Sequence, residues 1–151
     1  MKGNSTIGLI CSPGGHFVEV SQLLEAFEGH PVFFITYKAK AVQGRENTYA
    51  IDNLAKKPFS LFSAVLKILR IFARERPAVL FSTGAEIAIP CFYIGKFLFR
   101  TKLIYLECSA QVYHPSWTGR WIYPIADLFL VQWEPLVERY GPRAKFVGGL
   151  I

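Results

Sequence analysis

The sequence predicts an α/β fold: a doubly wound, mainly parallel, Rossmann-like sheet of about seven strands. Three observations carry this. Short, near-continuous apolar runs of strand length recur along the chain, segments of helical period separate them, and polar clusters fall just after the runs. Apolar strands joined by helices bury both faces of a parallel sheet, and right-handed crossovers then wind the chain into a layered sandwich.

In order, strands are expected at Thr6 to Cys11, Val32 to Tyr37, Thr48 to Ile51, Val79 to Ser82, Lys102 to Leu106, Leu128 to Val131 and Lys145 to Val147. Helices are expected at His16 to Phe27, where Val18, Val20, Leu23, Leu24 and Phe27 keep helical spacing, and at Ser60 to Arg76, Ala85 to Phe99, Trp117 to Ile125 and Glu134 to Tyr140. The polar, basic stretch Lys38 to Asn47 reads as a long loop. With 151 residues, residues 1–151 are read as one domain. The chain shows no internal repeat and no low-complexity linker.

The richest stretch is Ser12-Pro13-Gly14-Gly15-His16, between the first strand and the first helix. Glycines there let backbone approach a ligand, and a helix N-terminus carries partial positive charge, so the turn suits a phosphate or diphosphate. A histidine beside it can exchange a proton near neutral pH. The pattern is not the Rossmann fingerprint, because the glycine order is wrong and the second strand ends in Thr36-Tyr37-Lys38 rather than an acid. Nor is it a P-loop, since no Gly-Lys-Ser/Thr follows. Thr83, Gly84 and Glu86, then Glu107 and Ser109, then Gln132 and Trp133 close later strands. Ligands of such sheets collect beyond the carboxyl ends, so these clusters are expected to converge on one site.

Apolar residues make up 52% of the chain, which excludes disorder and leaves surplus hydrophobic surface for a partner or membrane. Seventeen Lys and Arg against eleven Asp and Glu give a net charge of +6, which favours acidic partners. The basic residues are dispersed among apolar faces without a recognition motif, so no nucleic-acid partner is expected. Cys11, Cys91 and Cys108 have no paired spacing, so neither a disulfide framework nor a metal site is expected. No cofactor signature is present. The first strand begins within six residues, which argues against a secretory leader, and Lys67, Pro90 and Lys96 interrupt the longest apolar runs. A cytoplasmic protein without a spanning helix is expected.

Ser60 to Arg76 carries apolar residues around more than one face, interleaved with Lys67, Arg70, Arg74 and Arg76 and preceded by Lys56 and Lys57. Ile94 to Arg100 repeats that composition. Each fits a helix resting on an anionic bilayer and equally a sheet-covering helix with a basic solvent face. After the seventh strand the chain runs out at Gly148-Gly149-Leu150-Ile151 without a capping helix, where two-domain enzymes of this class often divide; a separate chain is expected to supply the other half.

Together, Ser12-Pro13-Gly14-Gly15-His16, Tyr105-Leu106-Glu107-Cys108-Ser109-Ala110, Trp117-Thr118-Gly119-Arg120, Tyr123-Pro124-Ile125-Ala126-Asp127 and Val131-Gln132-Trp133 resemble the oligosaccharide-biosynthesis proteins of the ALG-fourteen and PssD type. The ordered set spans nearly the whole chain and is more specific than any one motif. The resemblance implies the N-terminal half of a split GT-B glycosyltransferase, similar to the first domain of MurG. It implies a polyprenyl-diphosphate-linked glycan acceptor held at the inner face of the cell membrane, an anionic membrane surface as contact, and a UDP-sugar-binding catalytic subunit as partner. The implied reaction is an inverting, N-acetylglucosaminyltransferase-like transfer that needs both chains; the alternatives are a non-catalytic membrane scaffold for the catalytic chain and, behind it, a nucleotide-binding Rossmann oxidoreductase fragment. Eukaryotic members carry an N-terminal anchor that this sequence does not show.

Within that frame Ser12, Gly14 and Gly15 are candidate contacts for the acceptor diphosphate, and Thr83, Gly84, Glu86 and Ser109 candidate linings of the acceptor channel. His16 or Glu107 is the candidate base, with an orienting histidine and a structural glutamate as the alternatives. Gln132 and Trp133 are candidate cleft or partner contacts.

Overall fold

A computed structural model describes residues 5–40, 44, 46–54 and 60–150. Seven strands form one parallel sheet: β1 (Ile7–Ile10), β2 (Val32–Tyr37), β3 (Thr48–Ile51), β4 (Val79–Ser82), β5 (Lys102–Leu106), β6 (Leu128–Val131) and β7 (Ala144–Phe146). Their order is β3-β2-β1-β4-β5-β6-β7, and every neighbouring pair is parallel. The order reverses between β1 and β4, which pair from Ile7 with Val79 to Ile10 with Ser82. At such a switch point the two connecting loops diverge to opposite faces and leave a crevice at the carboxyl ends.

The helices are α1 (Gly15–Gln22), α2 (Ser60–Glu75), α3 (Ala88–Leu98), α4 (Trp117–Ile122) and α5 (Pro135–Tyr140). Their ends differ from the sequence expectation for identifiable reasons. The first helix gives way after Gln22 to a 3-10 turn at Leu24–Phe27, whose tighter winding still lets Phe27 reach Phe81 at 5.2 Å between ring centres. α3 starts later than expected, because Gly84 and Ala85 both take positive φ and hold 83–87 as a turn; Pro90 then falls in the first turn, where its missing N–H has no partner to lose. α4 stops early because Pro124 cannot continue the helical ladder. β7 sits one residue earlier than predicted, at Ala144–Phe146.

Chain direction decides which face each helix covers. The step from β1 to β2 through α1 moves toward one edge, whereas the steps carrying α2, α3, α4 and α5 all move toward the other. Right-handed crossovers put opposite movements on opposite faces. One core therefore joins Ile68, Phe72, Phe92, Ile122 and Leu136 of four helices to Phe33, Leu80, Leu103, Tyr105 and Phe129 of the sheet. The second core holds only Val20 of α1 and its neighbours against Leu9, Phe34, Phe81 and Leu106. Over β5 and β6 that second face has no helix among the described residues. A groove of about 380 Å³ remains there, floored by Ile104, Leu106, Leu128 and Leu130 and bordered by Val147 to Leu150.

α2 buries Ala64, Ile68, Ile71 and Phe72 and leaves Leu61, Phe62 and Leu66 exposed. It is thus a sheet-covering helix that also presents apolar surface. Lys67 folds back to donate to the Ala50 carbonyl at 2.6 Å. Lys56, Lys57 and part of the 38–47 loop lie outside the described residues, and no described helix is long and apolar enough to cross a membrane.

Candidate functional site

The Gly-Gly-His turn lies at the switch point. Gly14 adopts φ +118°, a conformation that suits glycine, and a side chain at Gly14 or Gly15 would project into open space. α1 begins at Gly15 without a side-chain cap on Gly14. Half-buried Ser12 precedes them.

The turn after β4 locks His16 in place. Thr83, fully buried, donates from Oγ1 to the His16 carbonyl at 3.1 Å. Gly84 lies directly under the imidazole: a Cβ there would stand 2.6 Å from His16 Cε1. Gly84 has no side chain because the ring occupies that space, and Ser82 pins the turn with bonds to both Gly84 N and Gly84 O.

Glu19, one helical turn beyond His16 and 3% exposed, directs Oε2 at His16 Nδ1 across 3.7 Å. Both atoms are buried and lack a hydrogen-bond partner. Glu19 Oε1 accepts from Ser109 N at 2.8 Å, joining α1 to the end of β5. Burial opposes charge on His16, but the Cys108 thiol and the Glu19 carboxylate outweigh it and hold the imidazolium well above its usual pKa. Burial likewise opposes charge on Glu19, and there His16 and Ser109 prevail and hold its carboxyl well below the usual range. Ligand atoms of His16, Glu19 and Cys108 lie within 4.8 Å of one another, the one such trio found among the described residues. A divalent cation would have to displace the proton that already balances this pair.

Glu107 stands in a different setting. It is fully buried, and both oxygens are occupied: Oε1 accepts from Cys108 N at 3.0 Å and Tyr105 Oη at 3.3 Å, while Oε2 accepts from Ser116 N at 3.1 Å, Ser116 Oγ at 2.9 Å and Tyr140 Oη. Ser116 also caps α4, its Oγ accepting from Gly119 N at 2.8 Å. A side chain at Gly119 would strike both Tyr140 Oη and Glu107 Oε2. Burial and then the Glu107 charge push the Tyr140 phenol up, so it stays protonated and donates.

Gln132 is buried, its Nε2 donating to the Glu107 carbonyl at 3.0 Å and its Oε1 accepting from Leu150 N at 2.9 Å. Trp133 is 37% exposed, with Nε1 donating to the Ser109 carbonyl at 2.7 Å. Glu86 is half-buried beside Tyr37, whose phenol is pushed up by burial and by that carboxylate. The structure thus brings His16, Gly84, Thr83 and Ser109 together. It sets Glu107 and Gln132 behind them as internal ties. Glu19, Ser116 and Tyr140 went unnoticed in the sequence; Glu19 alone carried a local signal, its helical spacing from His16.

A second patch lies on the outer side of α3 and α4. Trp117 and Trp121 are 63% and 51% exposed with ring centres 6.2 Å apart, and Phe97, Leu98 and Tyr113 are as open. Tyr93 ties the two helices by donating to the Trp121 carbonyl at 3.1 Å.

Residues 47–150 match the family model "Oligosaccharide biosynthesis protein Alg14 like". The chain is 33% identical over 113 residues to the UDP-N-acetylglucosamine transferase subunit ALG14 of Candida albicans, covering 71% of this chain and 50% of that protein. It is 35% identical over 102 residues to the same subunit of Debaryomyces hansenii, covering 61% and 44%. It therefore spans about half the length of the curated relatives it matches. Among solved structures, MurG of Acinetobacter baumannii superimposes with a TM-score of 0.76 at 14% identity, over 96% of this chain and 45% of MurG. The UDP-GlcNAc 2-epimerase of Methanocaldococcus jannaschii does so with a TM-score of 0.74 at 11% identity, over 95% and 45%. These two likenesses establish the fold.

Proposed function

From the chain's membership of the Alg14-like family of oligosaccharide biosynthesis proteins, we propose that it is the membrane-side subunit of a two-component glycosyltransferase. It binds a polyprenyl-diphosphate-linked sugar acceptor and recruits a second chain that holds the UDP-sugar. The observation that carries this reading is the His16–Glu19 pair at the switch point, beside an open glycine turn at the start of α1.

In the proposed reaction an acceptor hydroxyl attacks the anomeric carbon, the bond to the UDP oxygen breaks with its electron pair, and the hydroxyl proton passes to a base. Configuration at that carbon inverts. This chain's part is to hold the acceptor. Gly14, Gly15 and the following amides bind its diphosphate, and His16, kept cationic by Glu19 and Cys108, adds a fixed positive charge. Gly84 and Ser109 bound the same crevice, and Thr83 fixes the turn from beneath. Glu107 is a positioning residue, because a carboxylate with both oxygens occupied and no exposed surface reaches no substrate proton.

One observation favours a second role for His16. A carboxylate facing Nδ1 is the arrangement that leaves Nε2 to act as a base. Turnover of the reconstituted pair against pH separates the two. A base gains activity as the imidazolium loses its proton, whereas a diphosphate-binding cation loses it over the same range. Full turnover by His16→Ala would overturn both.

The partner's seat is the groove over β5 and β6, where right-handed crossovers leave apolar sheet uncovered. Its shape and lining suit an amphipathic helix from the UDP-sugar-binding chain. Val147→Glu, at an exposed position on the groove rim, abolishes co-purification with that chain if this is right; undiminished co-purification overturns it. Trp117, Trp121 and the apolar flank of α2 rest on the cytoplasmic leaflet as a peripheral contact.

A further inference from the structure

Between α4, α5 and the loop after β5 lies a pocket of about 440 Å³ lined by His114, Pro115, Arg120, Tyr123, Arg139 and Tyr140. Nearly every polar group on its wall is a donor. Tyr140 Oη is spent on Glu107, and Tyr123 Oη accepts from Arg143 N at 3.1 Å, which leaves two guanidinium groups and an imidazole to face a ligand.

Cations elsewhere have partners: Lys38 pairs with Asp52 at 2.7 Å, Lys96 with Asp127 at 2.8 Å, and Arg74 with Glu75 at 3.5 Å. Among the described residues neither Arg120 nor Arg139 pairs with a carboxylate. The nearest buried acid, Glu107, is already occupied by five donors. Two guanidinium groups therefore line this pocket without a carboxylate ion pair among the described residues. The helix that carries Arg120 adds a second observation: Trp117 and Trp121 of α4 are both more than half exposed. Exposed tryptophans beside unpaired arginines suit the boundary between lipid headgroups and acyl chains.

We propose that this pocket seats the phosphate of a bilayer lipid headgroup, gripped by Arg120 and Arg139 while Trp117 and Trp121 enter the interface. The inference rests on the membrane-side reading above and gives it a specific anion site. A guanidinium fork matches two phosphate oxygens, whereas an ammonium offers a point charge, and that difference supplies the test.

Flotation of the full chain with phosphatidylcholine vesicles, with and without about one-fifth phosphatidylglycerol, measures the binding. Arg120→Gln with Arg139→Gln lowers affinity for the anionic vesicles roughly tenfold or more, while the equally charged control Lys40→Gln with Lys145→Gln lowers it by about twofold or less. Arg120→Lys with Arg139→Lys keeps the charge and still loses at least about threefold. Thermal melts matching the wild type confirm that each variant folds.

Wild-type binding by the lysine pair, or an equal loss in the control pair, means general charge attraction and overturns the proposal. So does inorganic phosphate binding that the glutamine pair abolishes while vesicle affinity stays unchanged, since the pocket would then hold a free anion. The transferase reading fails separately, by absent turnover of the reconstituted wild-type pair on detergent-dispersed acceptor.

Discussion

Two buried carboxylates at one sheet edge, Glu19 and Glu107, have opposite surroundings. Five donors from β5, α4 and α5 saturate Glu107. Glu19 has one oxygen bonded to Ser109 N and the other facing a histidine at ion-pair distance. A saturated carboxylate holds elements together, and its lone pairs are already taken. An under-coordinated one, here together with Cys108, biases the protonation of its neighbour. Burial alone does not separate the two; the donor count does.

The largest effect expected from this contrast is on stability. Glu107→Ala strands buried donors on three elements and lowers unfolding free energy by roughly 3 kcal/mol or more, read by urea denaturation. A loss under about 1 kcal/mol would make Glu107 as available as Glu19 and dissolve the distinction.

Gly84→Ala acts on the other side of it. The new Cβ meets the His16 ring and the backbone is held at φ +131°, so stability falls by about 2 kcal/mol. Under the proposed function, turnover of the reconstituted pair falls at least about tenfold as the imidazole is displaced. Unchanged turnover would mean that the ring's position is immaterial.

Titration gives a subtler reading. The raised His16 pKa contributes stability that is fully present below its unfolded value near 6.5 and fades as pH climbs through its folded value. The depressed Glu19 pKa contributes stability present above its unfolded value near 4.5 and lost as pH falls through its folded value. Together they are fully expressed between those two unfolded values. Glu19→Gln should flatten the decline in melting temperature from pH 6 to pH 9 and bring the His16 titration, followed by NMR, back toward the ordinary range. An unmoved titration would release His16 from Glu19.

The smallest expected change is that of Trp133→Phe, which removes the bond to the Ser109 carbonyl and costs about 1 kcal/mol. Because Ser109 N holds Glu19, the same variant should shift the His16 titration slightly. A shift as large as that of Glu19→Gln would place Trp133 in the pair itself.

Much of this architecture was legible in the sequence. Val32–Ile35 and Val79–Phe81 are uninterrupted apolar runs, and the Gly-Gly-His turn announces the crevice because strand and helix periods meet there. The Glu107 network was not legible, since Ser116 and Tyr140 lie nine and 33 residues away and meet the carboxylate only after α4 and α5 dock. The unequal cover of the sheet was also hidden. It follows from strand order, which apolar patterning does not encode.

The uncovered strip over β5 and β6 has a consequence for the life of the chain in a cell. Leu128, Leu130 and Val147 present the kind of apolar surface that chaperones and proteases recognise on unfinished proteins. A copy synthesised in excess of whatever covers that strip is marked for turnover by its own surface. With the proposed partner as that cover, degradation of the excess would balance the two subunits without a dedicated regulator to count the copies.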